Sequence, residues 1–159
     1  MIKPMGILRA LLGAGFLALA LPAAALAADS APTTPASSTD SDFASARAAI
    51  AQNNYDEAKG YLTKVLAATP DNADALNLMG FTERKLGNSA KSLDYYNKAL
   101  AQDPNHLGAN EYLGELYLEL KDVKKAEERL AVLQQACGGT CDEYKELKEK
   151  IDQFKATNG

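Results

Sequence analysis

The 159-residue sequence has no tryptophan, a single histidine and two cysteines, and aromatic side chains make up only 7% of it. Such a composition is short of the aromatic residues that fill a β-sandwich, whereas Ala and Leu recur along the whole length, so closely packed helices are the expectation. Positive charge is also in deficit. The 17 Lys and Arg stand against 21 Asp and Glu, a formal net charge of -4, which leaves no cationic field to gather nucleic acid or an anionic membrane surface. One His and two Cys do not make the four-ligand set of a structural zinc site. A Gly-rich loop to cradle phosphate is missing, and general acid–base work needs several titratable groups at matched positions in a cleft, which carboxylates spread over solvated helix faces do not signal. An enzyme is therefore not expected, and neither is a cofactor or a metal.

Long apolar runs are equally scarce. One extends from Ala10 to Leu21, broken only by Gly, behind the basic Lys3 and Arg9. At about 12 residues, ended by Pro22, it falls short of the ~20 that cross a bilayer. Ala25-Leu26-Ala27 supplies the small-x-small pattern read by signal peptidase, so residues 1–27 read as a cleaved signal peptide with the cut between Ala27 and Ala28. No Cys follows the cut to carry a lipid, so no stable membrane anchor is expected after cleavage. The remaining chain would carry 15 basic against 21 acidic residues and lie in the periplasm or outside the cell, the Ala-rich signal suggesting a Gram-negative periplasm. Residues 28–41 offer no large apolar side chain and contain Pro32 and Pro35, the composition of a disordered linker.

From Asp42 onward the chain repeats every 34 residues. Pro70 and Pro104 keep that spacing, as do Met79-Gly80 with Leu113-Gly114, and Ala58 with Ser92 and Ala126. Small residues at these points, with Ala46 in the first unit, would let the two helices of a hairpin approach closely, small side chain against small. Asn53-Asn54, Gly87-Asn88 and Lys121-Asp122 fall where each hairpin must turn, Asn and Gly tolerating left-handed backbone. Pro70-Asp71-Asn72 and Pro104-Asn105-His106 separate successive hairpins, and His106 is expected to be exposed there. The spacing predicts helices near 42–52, 55–67, 73–86, 89–102, 107–120 and 123–136.

The pattern resembles the tetratricopeptide repeat, W-x2-L-G-x2-Y, A-x3-F and P over 34 residues. Leu113-Gly114-Glu115-Leu116-Tyr117 with Ala126 and Leu130 follows it closely. The middle unit has Leu76, Met79-Gly80, Glu83, Ser92, Tyr96 and Pro104 at the corresponding places; the first departs in Ser45-Ala46 and Ala49 but fits at Ala58, Leu62 and Pro70. The resemblance implies an all-α fold, a right-handed α-α superhelix of three hairpins over 42–137, followed by a joint and capping helix over 138–156. That last helix shows an apolar face of Tyr144, Leu147, Ile151 and Phe154 against a charged one, suited to cover the exposed side of the final hairpin.

Cys137 and Cys141 flank Gly138-Gly139-Thr140 in the joint before the cap. In an exported chain the pair is most simply a disulfide, worth about 2 kcal/mol for so short a loop. A redox-active dithiol is the alternative, although the spacing is not C-x-x-C and no βαβ pattern surrounds it.

What the resemblance implies for function is a concave groove, lined by the first helix of each hairpin, that receives a peptide or helix. Projected onto this sequence, the groove takes Arg47 and Ile50 from the first hairpin, Asn77, Phe81, Arg84 and Lys85 from the second, and Glu111, Glu115, Leu118 and Glu119 from the third. The three glutamates recur every four residues on one stripe and would attract a basic segment, with Arg84 and Lys85 offering the opposite sign one repeat away. The carboxylate clamp of some relatives is not implied, because Phe43, Leu78, Gly108 and Tyr112 occupy most of the places of its polar residues. The expectation is an exported, non-catalytic scaffold or adaptor binding a segment of a cell-envelope protein, and no nucleic acid. A periplasmic thiol–disulfide protein using Cys137 and Cys141, or an accessory subunit of an envelope enzyme complex, are the alternatives.

Overall fold

The computed structural model describes residues 38–158. The expected signal peptide, its Ala27–Ala28 cleavage point and residues 28–37 of the expected linker lie outside the described residues. Seven helices follow one another: α1 (Ser38–Ala51), α2 (Tyr55–Ala68), α3 (Ala73–Lys85), α4 (Ser89–Gln102), α5 (Leu107–Glu119), α6 (Val123–Cys137) and α7 (Asp142–Asn158). Among the described residues there is no strand, and no helix is long and apolar enough to cross a membrane.

Local chemistry sets where the helices begin. Asn72 accepts a hydrogen bond from the Ala75 N–H at 2.9 Å, and Asp122 accepts one from Lys125 at 3.2 Å, each satisfying a donor that the first helical turn would leave orphaned. His106, which stands 34 residues after Asn72, does the same work with its ring: Nδ1 accepts from the Ala109 N–H at 3.1 Å. That acceptor role places the proton of the neutral ring on Nε2, which lies 3.0 Å from Asp74 Oδ1. The histidine is thus a cap held between two hairpins, its side chain 13% exposed, and not the open turn residue expected. α1 begins at Ser38 rather than near 42; Asp40 in its first turn favours the positive end of the helix dipole, and Asp42 pairs with Lys64 of α2 at 3.7 Å.

Each hairpin turns through one left-handed residue. Asn53, Gly87 and Lys121 have φ of 60°, 80° and 62°. In all three the next N–H reaches back to a carbonyl five residues earlier, Asn54 to Ala49, Asn88 to Glu83 and Asp122 to Tyr117, each at 2.8 Å, closing the helix end in the same way.

The helices pair as α1/α2, α3/α4 and α5/α6, and each new first helix packs on the hairpin before it, so that α1, α3 and α5 stand side by side along one face. The core is a chain of small clusters: Ala46, Leu62, Val65, Ala75 and Met79 at one end, then Leu76 with Ala99 and Ala109, then Tyr96 with Leu113 and Leu116, then Leu118, Ala126 and Leu133 with Leu147 and Ile151 of α7. α7 packs on both α5 and α6, where the first helix of a fourth repeat would lie. The small residues act differently from the expected small-on-small contact. A Cβ on Gly80 would lie 2.7 Å from two carbons of the buried Tyr96 ring, and one on Gly114 would lie 2.5 Å and 2.8 Å from the methyl carbons of Leu147. Each glycine is a seat for a large side chain, and in the third repeat that side chain comes from the cap.

Candidate partner-binding face

Helical spacing puts Phe43, Arg47 and Ile50 on one stripe of α1, Asp74, Leu78, Phe81 and Lys85 on one stripe of α3, and Gly108, Tyr112, Glu115 and Glu119 on one stripe of α5. Two clefts open along these stripes. One, of about 280 Å³, lies between α1 and α3 and is lined by Phe43, Arg47, Asp74, Asn77 and Leu78. The other, of about 490 Å³, lies between α5 and α7, with Leu118 and Phe154 as its apolar part and Glu115, Glu119, Lys150, Gln153 and Thr157 around them. Between the clefts runs an aromatic row, Tyr55 to Phe81 at 6.3 Å and Phe81 to Tyr112 at 5.1 Å between ring centres.

Arg84 binds this region together. Its guanidinium lies over the rings of Phe81 and Tyr112, at 5.7 Å and 5.8 Å. Its Nη2 contacts Glu115 Oε2 at 2.5 Å, and Nη1 lies 3.7 Å from Glu119 Oε1. The other carboxylate oxygen of Glu115 takes Lys150 of α7, so one chain of charges ties α3, α5 and α7. Burial alone would raise the Glu115 carboxyl, but the hydrogen bonds and charge of Lys150 and Arg84 hold it below the ordinary range. One turn earlier Glu111 has no such support. It is 4% exposed, and burial, the charge of Glu115 and a hydrogen bond with Glu146 of α7 push its carboxyl up to about 8. At neutral pH Glu111 is mostly a protonated acid buried under the cap.

The residues projected onto the groove therefore divide. Arg47, Lys85 and Glu119 are exposed, and Ile50 and Phe81 are half-buried. Asn77, Arg84, Glu111 and Leu118 are buried, and the Glu115 side chain is 11% exposed. The acidic stripe of α5 does exist as a stripe, but α7 and Arg84 cover and pair it. Projection passed over Asp74, Tyr55 and the apolar Phe43, Leu78 and Tyr112 as parts of this face; the i, i+4, i+7, i+11 spacing back from Lys85 through Phe81 was the signal for Leu78 and Asp74. Away from the face, Cys137 and Cys141 are joined as a disulfide with Cα atoms 5.8 Å apart, bridging the end of α6 to the start of α7 across Gly138 and Gly139, both at positive φ. Among the described residues no group of three or more His, Cys, Asp or Glu could hold a metal ion.

Stacked antiparallel hairpins with side-by-side first helices define a helical-repeat protein. Two sequence profiles, each described as tetratricopeptide repeat, match residues 43–106 and 83–151, and the chain belongs to that family. A curated relative from Pyropia yezoensis, "Uncharacterized protein ycf37", is 36% identical over 55 residues, 35% of this chain and 31% of its own length, so the match spans about a third of that protein. Among solved structures, the Sgt2 TPR domain from Aspergillus fumigatus superposes with a TM-score of 0.69 at 25% identity, over 79% of this chain and 85% of that one. PcrH in complex with the chaperone-binding region of PopD does so with a TM-score of 0.65 at 15% identity, over 75% of this chain and 92% of that one.

Proposed function

We propose that this chain is an exported, non-catalytic adaptor whose face of first helices binds a segment of a cell-envelope protein. Proteins of this family generally act as interaction scaffolds, and PcrH, which shares the fold, holds a region of another protein. The observation that carries the reading is the open α1–α3 cleft continuing into the Tyr55–Phe81–Tyr112 row, a surface with apolar and aromatic side chains still accessible in an otherwise charged exterior. The buried polar groups nearby support a role in holding position: they pair with one another, and no nucleophile with an adjacent base stands among them. Export is supported by residues 1–27 as read from the sequence.

A photo-crosslinking amino acid placed in cells at Phe81, at Arg47, or at Lys98 on the exposed side of α4 tests the binding face. The expected outcome is one polypeptide captured from positions 81 and 47 and not from 98. Equal capture from all three, or none from the first two, overturns the assignment. Sequencing the N-terminus of the chain recovered from the envelope fraction should begin at Ala28; an intact Met1 in a cytoplasmic fraction removes the export half.

A further inference from the structure

The charges left open on the binding face are not those that the sequence makes conspicuous. Of the three glutamates on α5, Glu111 is buried, Glu115 is held between Arg84 and Lys150, and Glu119 lies against Arg84. On the α1–α3 half the exposed cations are Arg47, which lines the cleft, and Lys85, whose ammonium lies 5.2 Å from the Phe81 ring centre. Neither takes part in an ion pair among the described residues. The one acid lining that cleft, Asp74, receives Nε2 of His106. A further feature points to an absent ligand: Asn77, 6% exposed, lines the cleft with its amide oxygen buried and lacking any hydrogen-bond donor. A buried acceptor without a donor is costly, and the backbone N–H of an extended segment lying in the cleft would supply one.

Taking the binding role above as its basis, we infer that the α1–α3 half of the face receives an acidic segment of a partner protein, which sets an apolar side chain between Phe43 and Leu78 and carboxylates against Arg47 and Lys85. The basic segment suggested by the α5 glutamates is thereby replaced by its opposite. Charge complementarity at an exposed rim acts mainly on encounter and selectivity, and salt screens it.

The test uses the chain recovered from cells and fluorescence anisotropy with three labelled peptides of equal length: one alternating Glu with Leu and Phe, one with Lys in place of Glu, and one with Glu alternating with Ser. The first should bind about tenfold or more tighter than the other two, and less tightly as salt rises. Arg47→Glu combined with Lys85→Glu should weaken it about tenfold, while Glu119→Lys leaves it unchanged. Both altered positions are exposed, and matching thermal melts will show that the fold is kept. Equal or tighter binding of the Lys peptide, no loss in the double variant, or no binding of any peptide overturns the inference. Crosslinking from Phe81 to a partner without an acidic segment would remove this inference and leave the adaptor role standing; absence of any crosslink from that face would remove both.

Discussion

Lys121 holds φ at 62° where the two earlier turns place Asn53 and Gly87. A long side chain gains nothing from that conformation and bears the steric cost of left-handed backbone, which glycine escapes. Lys121→Gly should therefore stabilise the chain by about 0.5–1 kcal/mol, read as a higher urea midpoint with an unchanged slope. Glu111 makes a second residue-scale prediction, through pH. Its carboxyl moves from an ordinary 4.5 to about 8 on folding, so the folded state holds the extra proton between those values. Its contribution is complete below the unfolded value and lost as pH rises through the folded one. Thermal stability should fall as pH rises from 4.5 towards 8, and Glu111→Gln should flatten that decline, being closest to the parent at the acid end and more stable than it at the alkaline end. An unchanged pH profile in the variant would show that Glu111 does not carry the effect. At this scale the sequence was informative where spacing spoke and silent where it depended on a distant neighbour. Residue type pointed to Asn53 and Gly87 as left-handed, but only the 34-residue register marked Lys121. Nothing local to Glu111 or Glu115 foretold that a helix thirty-odd residues on would settle over them.

Among the elements, α7 is where expectation and structure differ most in consequence. Its amphipathic pattern marked it as a cap, and its start at Asp142 was legible from the apolar spacing. What could not be read was the depth of its docking: Leu147 fills the place above Gly114, and Lys150 completes the pairing of Glu115. Those contacts withdraw Glu111, Glu115 and Leu118 from the groove to which helical periodicity had assigned them. Periodicity identifies a stripe, and only packing decides whether the stripe faces water. Gly114→Ala tests the seat directly. With a Cβ 2.5 Å and 2.8 Å from the Leu147 methyl carbons, the substitution should cost about 1–3 kcal/mol by overpacking, and hydrogen exchange of α7 amides should rise more than that of α1 and α2. Uniform acceleration across all helices would mean that the cap is not a separable layer.

For the whole molecule, the fold was legible because repetition multiplies weak local signals: each turn, each small residue and each proline recurs in register, and the starts of α2 to α6 fall at the predicted positions 55, 73, 89, 107 and 123. The binding face was legible only as a set of stripes. Which stripes stay open depends on contacts between α3, α5 and α7, residues separated by more than one repeat, and no 34-residue pattern encodes those.

The charged flank of α7 also settles how long the molecule can be. Lys145, Glu146, Lys148 and Glu149 are exposed, while Leu147 and Ile151 are buried against the last hairpin. A fifth hairpin partner arriving at that flank would meet water-loving side chains, so growth by stacking stops there. The repeats themselves carry no instruction about their number: each new first helix uses the same turn and the same glycine seat as the one before. The count is written once, in the helix that ends it, and moving that helix by a whole period along the chain would lengthen the array without altering how any one unit folds.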